Sequence, residues 1–284
     1  MTELVAVTTP APIRSPINAP KILLMGPGGT GKTYALRTLV SAGITPFIIS
    51  LDPQGLESVS DVPKEKLHWH TITAKNKTWA TMLVEADKLG GLTYEGITKA
   101  FDVNKSQQTR YRQVLETLAK FKCDRTEEDF GMVDSWPTSR AIVIDHFSEL
   151  CQAGKEWAVG EKLVLHEGEW QVAQNNVENL MRQMYQVLHC WVIVLAHIDR
   201  EIDFVQGGTT KTVHALGKKL APKLNPLFSD VVLAVRSGKA FSFDTAAGDT
   251  DLKTRNFPIQ GNLAPDFKIA VDTWKSRGGI VEAV

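Results

Sequence analysis

Gly26-Pro27-Gly28-Gly29-Thr30-Gly31-Lys32-Thr33 is the stretch on which the reading of this chain turns. It follows the short apolar run Lys21-Ile22-Leu23-Leu24-Met25 and leads into Thr33-Tyr34-Ala35-Leu36-Arg37-Thr38-Leu39-Val40, which has helical spacing. The order is strand, glycine-rich turn, helix. Glycines in such a turn let backbone N–H groups point inward around anionic oxygens, and the helix that follows presents its positive end to them. The spacing GxxxxGK[ST] therefore predicts a phosphate cradle built from Gly26 to Tyr34.

In such a cradle Lys32 reaches the β and γ phosphates of ATP and Thr33 holds Mg²⁺. Outward from it, Pro46-Phe47-Ile48-Ile49-Ser50-Leu51 is a second buried strand that ends at Asp52-Pro53. Ala141-Ile142-Val143-Ile144-Asp145 and Trp191-Val192-Ile193-Val194-Leu195-Ala196 are further core strands, with a connecting helix from Asn175 to Leu188. Strands alternating with helices predict an α/β fold with a mostly parallel sheet and helices on both faces. Leu67 to Thr73 alternates like an exposed strand. Trp79 to Leu89 and Gln107 to Phe121 are amphipathic helices, and together they predict a helical insertion at about 74–138. Val231 to Arg236, Ala240 to Asp244 and a run ending near Arg255 have the form of antiparallel hairpins, a C-terminal extension of the sheet. Residues 1–20 are expected to be a flexible leader and residues 21–284 a single domain.

Several polar residues sit where strands end. Asp145 closes an apolar run beside the phosphate loop, where a Mg²⁺-bound water needs an acceptor. Asp52 ends the strand after the loop's helix and is a candidate general base, although an Asp-Pro step also initiates turns; Glu57 is the rival base. His197 follows the Trp191 strand, in position either to sense a γ-phosphate or to make a structural hydrogen bond. Lys253 and Arg255, two apart on an extended segment, share one face; they either clamp phosphate charge or protect a solvated edge.

Phe204 to Ser229 contains no acidic residue and carries Lys211, Lys218, Lys219 and Lys223 among glycines and threonines. A mobile basic loop of this kind suits contact with the backbone of single-stranded DNA, and equally a plain solvated face. Ala153 to Trp170 reads as a second loop, in which Trp157, His166 and Trp170 offer stacking surfaces that Glu156, Glu161, Glu167 and Glu169 oppose.

Lys+Arg and Asp+Glu both number 32, so any argument for a polyanionic partner must be local. The three cysteines Cys123, Cys151 and Cys190 are too far apart for metal-ligand spacing and are expected to be reduced thiols of a cytoplasmic protein. The longest apolar run falls well short of the roughly 20 residues that span a bilayer, so no membrane partner is expected.

Taken in order, the phosphate loop, Asp52 after Ser50-Leu51, Asp145, His197 and Lys253-Thr254-Arg255-Asn256 resemble the RecA-like P-loop ATPases. More narrowly they resemble phage-encoded members that include single-strand annealing ATPases. The resemblance covers about Lys21 to Gly261. It implies an ATP- and Mg²⁺-dependent ATPase in which Asp52 activates water, His197 reports the γ-phosphate, and Lys253 with Arg255 reaches into a neighbouring subunit's ATP. It further implies a ring or filament of identical subunits that handles single-stranded DNA, alongside replication or recombination proteins. An ATP-gated loader that meets a protein instead of DNA is the main alternative, and a small-molecule kinase, lacking an arginine-rich lid here, a third. The base position is usually Glu and the sensor often Gln in that family, departures that bear on rate more than on binding.

Overall fold

The computed structural model describes residues 14–74, 78–93, 96, 108–160, 165–202, 208–217 and 219–283. Its elements, in chain order, begin with β1 (Lys21–Met25), α1 (Lys32–Ala35), α2 (Arg37–Ser41), β2 (Thr45–Ser50), a 3-10 helix (Pro53–Val59), β3 (His68–Thr71), α3 (Trp79–Gly90) and α4 (Arg110–Ala119). They continue with β4 (Arg140–Asp145), α5 (Phe147–Val159), α6 (Glu167–Val187), β5 (Trp191–Ala196), β6 (Ile198–Ile202), β7 (Thr209–Val213), α7 (Ala221–Leu224), β8 (Asp230–Ser237), β9 (Ala240–Asp244) and α8 (Lys268–Ser276).

Seven strands form one sheet in the order β3-β2-β4-β5-β1-β8-β9, and every pairing but the last is parallel. Parallel strands buried on both faces need continuous apolar sequence, which β1, β4 and β5 supply. Successive residues pack into two separate cores. Leu23, Met25, Ile142, Ile144, Val192 and Val194 face one layer with α4, α5 and α6. Ile22, Leu24, Val143, Ile193 and Leu195 face the other with α1, α2 and α8. Helices therefore cover both faces, the architecture expected from the sequence.

The antiparallel C-terminal extension is present as the β8–β9 hairpin, whose first strand also pairs in parallel with β1. Other readings are corrected. The run toward Arg255 makes isolated bridges, Thr250 to Lys211 and Lys253 to Val231, and no strand, and the buried Asp230 carboxylate draws the chain into a turn, accepting from the N–H groups of Arg255 (2.8 Å) and Asn256 (2.7 Å). The loop assigned to Ala153–Trp170 is largely helix: Trp157 lies in α5, Trp170 in α6, and both are half-buried against the core. Charged residues on the outer faces of these helices masked the inner apolar stripe, and α6 accordingly begins at Glu167, well before Asn175.

The basic segment after His197 is likewise built differently. β6 and β7 form an antiparallel hairpin, and α7 and a 3-10 turn, Asn225–Leu227, follow. Residues 203–207 and Lys218 lie outside the described residues. At the amino end, Ser15 to Pro20, read as the end of a flexible leader, is held: the Ser15 N–H donates to Glu282 (2.5 Å) and the Ala19 N–H to the His189 carbonyl (3.1 Å). Of the span expected as an insertion, most of the described side chains of α3 are exposed, while Tyr111 and Val114 of α4 are buried in the core; residues 75–77, 94, 95 and 97–107 are outside the described residues. Among the described residues no helix is long and apolar enough to cross a membrane. Cys123, Cys151 and Cys190 are free and buried, and burial pushes the Cys151 thiol up to about 12.

Candidate functional site

The carboxyl ends of β1, β5, β4 and β2 lie side by side in that order, and each delivers a polar group to one cavity of about 1060 Å³. From β1 comes the phosphate loop. Two of its glycines, Gly29 (φ +72°) and Gly31 (φ +77°), have left-handed backbones that other residues adopt only with strain. Gly26 is fixed by space: a Cβ there would lie 2.5 Å from the Ala234 carbonyl oxygen of β8. The loop runs into α1, and a right-handed Leu36 joins α1 to α2 along one helical path. Tyr34 is exposed, with the Arg37 guanidinium 3.9 Å over its ring.

Lys32 is buried and donates from Nζ to the carbonyls of Gly26 and Pro27, both at 2.8 Å. Burial lowers its pKa to about 8, opposed by the attraction of Asp145. The Thr33 hydroxyl donates to Asp145 Oδ2 at 2.9 Å. Burial raises the Asp145 pKa to about 6; the Thr33 hydrogen bond opposes the rise, and the nearby Asp52 adds to it. A hydroxyl and a carboxylate are hard oxygen ligands of the kind Mg²⁺ prefers, and a buried carboxylate resisting ionisation is stabilised by an adjacent cation. The pair fits a Mg²⁺ site completed by phosphate oxygens. Among the described residues no group of three or more His, Cys, Asp or Glu forms a metal cage of its own.

Asp52, at the end of β2, borders the cavity, and its Oδ1 accepts from the Gln54 N–H at 3.2 Å as it caps the 3-10 helix. Glu57 borders the same cavity from the exposed side of that helix, so the structure brings both candidate bases to the site. His197 leaves β5 into the cavity, and burial together with the positive charge of Lys32 lowers its pKa. Its carbonyl accepts from the His214 N–H at 2.8 Å, which ties His197 to the end of the β6–β7 hairpin.

Lys253 and Arg255 are not in this cavity. They lie at the amino ends of β1 and β8, beside Asp230, whereas the phosphate loop leaves the carboxyl end of β1. Lys253 Nζ donates to the Phe228 carbonyl at 2.8 Å and Arg255 is exposed. Three of the lysines of the basic segment are drawn to carboxylates: Lys211 to Asp249 at 2.6 Å, Lys223 to Glu178 at 2.7 Å, and Lys219 to Glu167 at 3.6 Å. Lys218 lies outside the described residues.

Residues not singled out from the sequence also border the cavity: Thr38, Gln54, Ser58, His146, Phe241, Pro265 and Asp266. His146 carried a sequence signal, a second polar residue directly after a strand-ending Asp. Phe241 carried none, since its place beside Gly31, 3.2 Å from where a Cβ would stand, depends on the β8–β9 hairpin folding back over the loop.

The sheet is seven-stranded and mostly parallel, and β5 separates the phosphate-loop strand from the Asp145 strand. Solved structures similar to the chain include the assembled ATPase EscN of the enteropathogenic E. coli type III secretion system (10% identity, TM-score 0.37, covering 77% of this chain and 43% of that one). Others are a prototypical type III secretion ATPase of pathogenic bacteria (10% identity, TM-score 0.39, 83% and 65%) and the RadB recombinase (10% identity, TM-score 0.36, 84% and 92%). This chain thus spans 43% and 65% of the lengths of the first two. No curated protein matches it. The family model described as AAA domain matches residues 18–257, and the chain belongs to that family.

Proposed function

We propose that the chain hydrolyses Mg-ATP in the cavity at the strand ends and uses its nucleotide state to handle single-stranded DNA, as an oligomer of phage-type recombination or replication. The observation that carries the ATPase reading is the part-buried Thr33–Asp145 contact at 2.9 Å, beside Lys32 and the phosphate loop. Backbone amides of the loop and the Lys32 ammonium hold the β and γ phosphates once Lys32 exchanges its two carbonyl partners for phosphate oxygens. Thr33 and Asp145 hold Mg²⁺, which when bound neutralises charge developing on the transferred phosphoryl group. Asp52 orients the attacking water, with Glu57 as the rival for that duty. Lys253 and Arg255 face away from their own cavity, so their service to ATP requires a second copy of the chain. Replacement of Arg255 by Ala is expected to lower turnover in the assembled protein.

The step from nucleotide to DNA runs through His197. Its backbone link to His214 passes any shift at the γ-phosphate to the β6–β7 hairpin and the lysines beyond it. One observation favours the second reading, in which this arm meets a protein: Lys211, Lys219 and Lys223 already lie beside carboxylates, which weakens their pull on a phosphate backbone. The experiment is ATP turnover with and without single-stranded DNA across a salt series. DNA stimulation that falls steeply with salt supports the DNA reading, because phosphate contacts release counterions. Turnover that ignores DNA at every salt concentration contradicts it and supports the protein-partner reading.

A further inference from the structure

Parallel pairing of β4 with β5 brings two histidines together that the sequence holds far apart. His146 follows Asp145 at the end of β4, His197 follows Ala196 at the end of β5, and their ring centroids are 4.4 Å apart with planes at 71°. Both residues border the cavity with Lys32, Thr33, Asp52 and Asp145. Across the sheet the order of strand ends is phosphate loop, His197, Asp145 with His146, then Asp52. His146 thus stands between the cradle that holds the phosphates and the carboxylate placed to orient water.

The hydrogen bonding of His146 is incomplete. Its Nδ1 is closed off from solvent and has no hydrogen-bond partner. A buried N–H without an acceptor is rarer and costlier than a buried lone pair without a donor. The neutral ring therefore carries its proton on Nε2 and offers a donor there. A packing residue between two strands has no use for such a donor. A phosphate oxygen does, and the γ-phosphate is the group that separates a nucleoside triphosphate from its product.

We infer that His146 donates a hydrogen bond from Nε2 to the γ-phosphate of the bound nucleoside triphosphate, forming with His197 a two-histidine sensor that distinguishes triphosphate from diphosphate. The inference rests on the nucleotide-site reading above. Because the donor is used only when a γ-phosphate is present, its loss acts on triphosphate binding and turnover and spares diphosphate binding.

Two variants test this. His146→Phe keeps a ring against His197 and removes the donor, and His146→Gln restores a donor without the ring. Calorimetric dissociation constants for ADP and for a non-hydrolysable ATP analogue, each with Mg²⁺, are measured alongside the melting temperature of the nucleotide-free protein. His146→Phe is expected to weaken the ATP analogue by about tenfold to a hundredfold, the range for a hydrogen bond to a charged group. ADP affinity should stay within about twofold and the melting temperature should not fall; His146→Gln should recover part of the preference. Equal weakening of both nucleotides in His146→Phe, or an unchanged preference, overturns the inference. Should His146→Phe fail to fold, His146→Leu, which also lacks the donor, takes its place, and an unaltered ATP-to-ADP preference in that variant counts against the sensor. A wild-type protein that binds neither nucleotide refutes the site reading itself; one that binds both while His146→Phe keeps the preference refutes only the sensor.

Discussion

Two clusters of buried polar groups lie at different corners of this molecule, and they are built to different standards. The clasp that joins the chain's two ends has its hydrogen bonds filled. Glu282 is buried, accepts from the N–H groups of Ser15 (2.5 Å) and Thr138 (3.3 Å), and lies 2.9 Å from His189 Nε2. The Thr138 hydroxyl in turn donates to the Ile280 carbonyl (2.6 Å) and accepts from the Glu282 N–H (2.9 Å). At the strand-end cavity the accounting is open. Lys32 is folded onto carbonyls of its own loop, Asp145 is buried with one hydroxyl, and His146 Nδ1 has no partner. A satisfied polar cluster stabilises the fold, whereas one left short of partners costs stability until a ligand completes it.

That contrast is sharpest at Lys32. Lys32→Ala is expected to reduce ATP turnover by about a hundredfold or more, the scale on which single preorganised charge-stabilising groups act. The nucleotide-free protein should lose little stability, because the group removed is a buried cation without a carboxylate partner in hydrogen-bonding contact. A large fall in melting temperature would make Lys32 a structural residue and break the comparison.

Asp145→Asn tests the same idea from the acidic side. The folded pKa of Asp145, about 6, lies above the ordinary value of 3.8, so its contribution to stability is fully present only below the latter and is lost as pH rises through the former. At neutral pH the ionised group therefore costs stability on the order of 3 kcal/mol. The variant should melt at higher temperature than the wild type at pH 7.5 without nucleotide, with the gap closing as the pH is lowered toward 4, while Mg²⁺-dependent turnover is lost. Equal melting temperatures across that range would contradict the argument.

At the clasp the sign reverses. Burial alone would raise the Glu282 pKa, but Ser15, His189 and Thr138 together hold it below the usual value of 4.5. Its stabilisation is present above that value and is lost as pH falls through the lower folded one. Glu282→Ala is expected to destabilise the protein by about 2 kcal/mol at pH 7, as for an opened buried hydrogen-bond network, with a smaller deficit below about pH 4. Turnover per folded molecule should not change. Chemical denaturation at the two pH values decides it.

The smallest expected effect is at Lys219, whose contact with Glu167 is long and exposed on both sides. Lys219→Ala should change stability by less than about 0.5 kcal/mol. If the arm beyond His197 meets DNA, the same variant should weaken strand binding and flatten its salt dependence; unaltered DNA binding would favour a protein partner.

What was legible in the sequence divides along the same line between local and distant causes. The phosphate loop is one unbroken stretch, and Asp145, Asp52 and His197 each end an apolar run, so a linear reading places them at strand ends. The two faces of the sheet follow from apolar strands alternating with amphipathic helices. His146 follows a strand-ending Asp, but its pairing with His197 comes from β4 lying beside β5, and Phe241 was illegible because a hairpin carries it back over Gly31. Lys253 and Arg255 were expected to share a strand face, but the buried carboxylate of Asp230 bends that segment, and no local pattern announces such an attachment. The lysines after His197 looked free because Glu167, Glu178 and Asp249, their partners, belong to other segments.

The most direct test of the central claim is phosphate release from ATP by the purified full chain with saturating Mg²⁺, run beside Lys32→Ala. Turnover by the wild type that drops by about a hundredfold in the variant is the result predicted from the open polar cluster at the strand ends. Equal turnover by the two proteins, or none by a folded wild type with and without single-stranded DNA, would contradict it.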